Sequence, residues 1–109
     1  MTSFLIVYYL FEIMDILSRF LELLRKDYTV TIGTLNEYEI DFIARKDDEK
    51  IYIQVSYNLS NPKTLERELK PLLKVNDNYP KYLISNDREN YNTQGIKHFN
   101  IINFLKDFK

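Results

Sequence analysis

Two alternating runs decide the reading of this chain: Tyr38-Glu39-Ile40-Asp41-Phe42-Ile43-Ala44-Arg45, then Ile51-Tyr52-Ile53-Gln54-Val55-Ser56-Tyr57. Their period of two and their β-branched and aromatic residues mark β-strands. The charged run Lys46-Asp47-Asp48-Glu49-Lys50 between them reads as a turn. Tyr28, Val30 and Ile32, alternating with Thr29 and Thr31, give an earlier strand that ends at Gly33. Connections this short favour an antiparallel meander of three strands.

The meander is framed by helices. Residues 11–26 carry Ile13, Ile16, Leu17, Phe20, Leu21 and Leu24 at helical spacing, with Ser18, Arg19, Glu22 and Arg25 largely opposite. Asn61-Pro62 reads as a cap and first turn, and Leu65, Leu69, Leu72 and Leu73 continue as an apolar stripe. Pro71 should kink or shorten that helix. Tyr82-Leu83-Ile84-Ser85 is a short strand, residues 86–95 are polar and irregular, and Ile96 to Phe99 reads as a last strand. Asn100 then caps a final helix carrying Ile101, Ile102, Leu105 and Phe108. The order is α-β-β-β-α-β with a short β-α tail. It implies an α/β domain with a mixed sheet flanked by helices.

The 109 residues suit one domain, 1–109, large enough for a core of its own. A hydrophobic fraction of 45% and a charged fraction of 28% argue against disorder. The absence of cysteine excludes disulfides, thiolate metal sites and cysteine catalysis, and fits a reducing, cytoplasmic setting. A net charge of −1 lacks the basic excess of a dedicated nucleic-acid binder, though a local patch stays open. Phe4 to Phe11 is an unbroken apolar run. It is too short for a membrane span, and Glu12 and Asp15 after it do not suit a signal peptide. It is read as buried or as an interface, with residues 1–10 as a truncated edge.

One constellation has chemical content. Glu39 and Asp41 are expected on one strand face, with Gln54 and Ser56 beside them on the next strand. Ile40, Phe42, Ile53 and Val55 would then face the core. Asp41, Glu39 and the Gln54 amide oxygen are the oxygen types that Mg²⁺ takes. Such an ion can activate water and stabilise phosphoryl transfer. The commoner cause of the same pattern is the solvated face of a hairpin. His98, the single histidine, reads as a structural or surface residue, and the tyrosines as packing residues rather than base-stacking platforms.

The run Glu39-Ile40-Asp41-Phe42-Ile43-Ala44 followed by Tyr52-Ile53-Gln54-Val55-Ser56 resembles the PD-(D/E)XK, or restriction-endonuclease-like, superfamily. In more detail the chain is similar to the C-terminal domain of uncharacterised AAA-type ATPases of bacteria and archaea. That likeness is carried by Phe20-Leu21-Glu22-Leu23-Leu24-Arg25, Thr64-Leu65-Glu66-Arg67-Glu68, Asp77-Asn78-Tyr79-Pro80-Lys81 and Gly95-Ile96-Lys97-His98. The resemblance implies a restriction-endonuclease-like fold. Asp41 takes the place of the metal-binding aspartate, Gln54 that of the second acidic ligand, and Ser56 falls where the lysine should be. Neutral Gln and uncharged Ser weaken such a site. Glu39 is a compensating carboxylate, and Lys63, Arg67 or Lys81 are compensating cations. Glu22 and Asp15 are candidates for the acidic residue of the first helix.

The resemblance therefore implies a nuclease-fold domain that is catalytically degenerate and acts as an accessory or interaction module. An ATPase domain, or a homodimer through the N-terminal apolar run, would be its partner. An active Mg²⁺-dependent phosphodiesterase and a plain nucleic-acid-binding module are the alternatives. The chain itself has two glycines and no phosphate-binding Gly-x-x-x-x-Gly-Lys-[Ser/Thr] segment.

Overall fold

The computed structural model describes residues 15, 18, 19, 21, 22, 24–35 and 38–107. Phe4–Phe11 and the apolar residues Ile13, Ile16, Leu17, Phe20 and Phe108 lie outside them. The described residues between 15 and 27 are helical. Strands β1 (Thr29–Leu35), β2 (Tyr38–Lys46) and β3 (Glu49–Val55) follow, then helix α1 (Pro62–Lys74), β4 (Lys81–Ser85), β5 (Lys97–Asn100) and helix α2 (Ile101–Asp107). The five strands form one sheet in the order β1-β2-β3-β4-β5. The first three pair antiparallel, and β3-β4 and β4-β5 pair parallel. The protein is thus an α/β domain with a mixed sheet, as the element order implies.

Helices cover both faces. On one side α1 sends Leu69 and Leu72 against Ile40, Ile43, Tyr52 and Leu83. On the other, Leu24, Ile101 and Phe104 pack on Ala44, Ile51, Ile53 and Ile84. Side chains buried this completely each contribute about 1.5–3 kcal/mol. Asn61 caps α1 by accepting from Lys63 N, and Asn100 caps α2 by accepting from Ile102 N and Asn103 N. Helix α1 passes through Pro71 and runs on to Lys74, so the proline does not end it.

Two local expectations are corrected. Gly33 does not end β1; it pairs with Ile40 inside the strand. A Cβ there would collide with the Ile43 side chain, whose Cγ1 would lie 2.7 Å away. Glycine is what lets Ile43 cross at that point. The charged turn is also tighter than five residues. Lys46 pairs with Glu49, which leaves Asp47 and Asp48 as the loop, with Asp47 at a φ of 52°. Two-residue hairpin loops need positive φ, which Asp tolerates.

Candidate functional site

The polar pair of the hairpin sits at an irregularity. Thr31 faces Ile43 and Gly33 faces Ile40, so Ile32 alone stands opposite both Asp41 and Phe42. This is a β-bulge in β2, a feature common beside functional sites. It breaks strict alternation: Ile40 and Ile43 share the α1 face, while Phe42 packs on the opposite layer. The expected division into one core face and one polar face therefore fails. Glu39 and Asp41 do not stand in a simple i, i+2 relation, and the Gln54 side of the hairpin is roofed by α1.

Beyond the Phe42–Ile53 pair the β2-β3 ladder stops, and two side chains bridge the strands. The Gln54 Oε1 accepts from Asp41 N at 2.6 Å. Asp41 Oδ2 accepts from Val55 N at 2.9 Å. Each side chain thus satisfies a backbone donor of the other strand, which would otherwise be orphaned. Gln54 is 3% exposed, and its Nε2 reaches on to the Glu68 carbonyl of α1 at 3.4 Å. The amide is committed at both ends.

Charge in this cluster is one-sided. Burial raises the pKa of the half-buried Asp41, and Glu39 adds to the rise, against the Val55 hydrogen bond. Burial likewise raises Glu68, and the Asp41 charge raises it further, with Arg67 opposing. Glu68 belongs to the site and was not among the residues expected from sequence. Its signal is faint: it sits in Glu66-Arg67-Glu68, a stretch whose periodicity says only that the helix is amphipathic.

Ser56 and the residues expected to compensate lie as follows. Ser56 donates its backbone N–H to Ile84 O at 2.9 Å. Lys81 is held at a second cluster: its Nζ bonds Asp77 O at 2.8 Å, Asp77 Oδ1 at 3.1 Å and Tyr79 O at 2.9 Å. Tyr52 donates to the same carboxylate at 2.5 Å; burial first, then Asp77, push its hydroxyl up to about 12. Despite its own partial burial, these bonds draw the Asp77 pKa down. Arg67 and Lys63 are exposed on α1. Asp15 is engaged with Arg19 at 3.2 Å, and Glu22 is exposed.

As for Mg²⁺, no group of three or more His, Cys, Asp or Glu side chains among the described residues is arranged to hold a metal ion. The donor set on offer is Asp41 with one oxygen already bonded and Glu68, with Gln54 oxygen occupied.

A second polar cluster was not anticipated. Ser85, Asp87 and His98 are all buried. Ser85 Oγ donates to Asp87 Oδ2 at 2.8 Å and lies 2.7 Å from His98 Nε2. Asp87 Oδ2 also accepts from Leu59 N at 2.7 Å. Ser85 Oγ also accepts from Asp87 N at 3.1 Å, and the direction of its contact with His98 Nε2 follows the imidazole tautomer. In a serine-nucleophile triad the carboxylate holds the far nitrogen of the imidazole, whereas here Asp87 bonds the serine itself. The group is a structural clasp joining the β3–α1 loop to β4 and β5. Burial lowers the His98 pKa, with Asp87 and the Glu89 backbone opposing.

No family model and no solved structure matches the chain. It is 41% identical over 87 residues to an uncharacterised protein of Haemophilus influenzae. That stretch is 79% of this chain and 21% of the relative, so the chain spans about a fifth of that protein's length. No helix among the described residues is long and apolar enough to cross a membrane.

Proposed function

We propose that this is a restriction-endonuclease-like domain whose catalytic positions have turned structural, serving as an accessory or interaction module. The observation that carries this reading is the Asp41–Gln54 brace. The two residues that would hold a metal instead terminate the opposing strand's backbone donors. Gln54 has no charge to offer, Ser56 supplies no cation, and Lys81 is bonded to Asp77. A relative several times longer supports a role as one part of a larger protein, in line with the resemblance to the C-terminal domain of AAA-type ATPases.

One observation favours a rival. Asp41 and Glu68 repel each other in a half-buried setting, and a divalent cation between them would relieve that. On that reading the chain is a Mg²⁺-dependent phosphodiesterase. Incubation with single-stranded and branched DNA and with RNA, in Mg²⁺ or Mn²⁺, separates the two. The accessory-module reading expects intact substrate. Cleavage that disappears in Asp41→Ala would establish the enzyme instead.

A further inference from the structure

The end of the β2–β3 hairpin far from Asp41 carries a second unbalanced charge, of the opposite sign. Arg45 and Lys50 stand directly opposite each other on the two strands. Like charges so placed destabilise a hairpin. Both side chains, with Tyr52, Asn76 and Asp77, line a cavity of about 250 Å³. The acids nearby are committed to other groups. Asp77 takes Lys81 Nζ on one oxygen and the Tyr52 hydroxyl on the other. Glu49 accepts from the Tyr28 hydroxyl at 3.5 Å, and Tyr28 packs on the opposite layer. Among the described residues neither Arg45 nor Lys50 forms an ion pair; Arg45 donates to Thr31 Oγ1 at 3.1 Å.

Lys50 is nonetheless held in place. Its ammonium lies 5.0 Å from the centre of the Tyr52 ring and 5.9 Å from that of Tyr79. A half-buried cation over two aromatic rings has given up water without gaining a counter-charge. One fixed ammonium, one guanidinium fork and the Asn76 amide thus line one small cavity. The matching ligand is compact, oxygen-rich and doubly charged. A phosphate monoester, at about −1.5 to −2 near neutral pH, has that charge, whereas a carboxylate or a phosphodiester brings one charge. Beside the cavity Tyr79 is 41% exposed, a flat surface on which a base can stack. We infer that Arg45, Lys50 and Asn76 form a binding site for a phosphate monoester of the nucleotide kind, with Tyr79 against the base. The site goes beyond the accessory-module reading and stands at the opposite end of the same two strands from the Asp41–Gln54 brace.

Calorimetric titration of GMP into the full chain at low salt tests this. Inorganic phosphate, a 5′-phosphorylated single-stranded oligothymidylate and its unphosphorylated counterpart are the other probes. GMP is expected to bind with a Kd below about 1 mM, and inorganic phosphate about tenfold more weakly for want of the base. Tyr79→Ala brings GMP to the level of inorganic phosphate. Arg45→Gln and Lys50→Gln each weaken GMP about tenfold. Lys46→Gln removes the same charge from the next residue, which sits by Tyr28 on the other layer, and changes the affinity by less than about twofold. Arg45 is exposed, so its variant keeps the native circular dichroism and decides the matter even where Lys50→Gln fails to fold. A phosphorylated strand that binds more tightly than GMP makes a strand end the source of the phosphate; one that does not bind makes it the free nucleotide. An unphosphorylated strand that binds as well as the phosphorylated one overturns the monoester. No binding heat with any probe overturns the site, and so does an equal loss in Lys46→Gln, the mark of diffuse charge. None of these outcomes bears on metal binding at Asp41, so this inference and the degenerate-site reading fail separately.

Discussion

The Asp41–Gln54–Glu68 cluster and the Ser85–Asp87–His98 cluster are both polar islands in the same sheet, but their charge is balanced differently. In the second, one carboxylate receives a backbone N–H and a hydroxyl, and that hydroxyl also meets the imidazole. In the first, burial raises the pKa of Asp41 and of Glu68, the Asp41 charge raises Glu68 further, and a neutral amide joins the Asp41 N–H to the Glu68 carbonyl. Residue types alone mislead in both places. Serine, aspartate and histidine look like hydrolase chemistry and are a clasp. Asp41 and Gln54 are residue types that suit a metal site, and here they bridge two strands.

Breaking the clasp should cost most. Asp87→Ala strands the Leu59 N–H and the Ser85 hydroxyl in a buried place, an expected loss of about 3 kcal/mol in urea denaturation. A loss well under 1 kcal/mol would mean that the clasp is dispensable. Gln54→Ala should cost about 2 kcal/mol, because Asp41 N and the Glu68 carbonyl lose their shared partner. Gln54→Glu sharpens the contrast. A third carboxylate beside Asp41 and Glu68 should destabilise the fold at neutral pH, and Mn²⁺ should restore stability in this variant alone.

Acid separates the clusters by sign. Raised carboxylates oppose folding while ionised, so falling pH through the folded pKa values of Asp41 and Glu68 toward their ordinary ones relieves that cost. His98 works the other way: its lowered pKa favours the neutral form, and stability is lost from the ordinary histidine value down to the folded one. Asp77, also lowered, stabilises above its ordinary value and loses that as pH falls through its folded pKa. Melting curves across acid pH should therefore show a partial recovery that Asp41→Asn with Glu68→Gln abolishes. Glu39→Ala, at an exposed position, should change stability by less than about 0.5 kcal/mol.

The sequence made the architecture legible where periodicity was strong. Tyr52 and Ile53 alternate cleanly, Asn61 and Asn100 cap as their side chains suggest, and the three-strand meander follows from its short loops. What it hid was tertiary. The bulge at Asp41–Phe42 leaves no mark in composition, yet it moves Ile40 to the same face as Ile43. Covering by α1 turns a solvated-looking Gln54 into a buried brace. Glu68 enters the cluster because the helix packs there, which its own neighbours do not announce. Ser85, Asp87 and His98 meet through parallel pairing of β4 and β5, a long-range event invisible to local reading.

Asp41 is proposed to be a structural brace rather than a metal ligand. Calorimetric titration of Mg²⁺ and Mn²⁺ into the native chain and into Asp41→Ala tests it directly. No binding heat is expected at millimolar metal for either protein, with Asp41→Ala less stable. Binding by the native chain that vanishes in Asp41→Ala would contradict it and make the metal-dependent nuclease the better description.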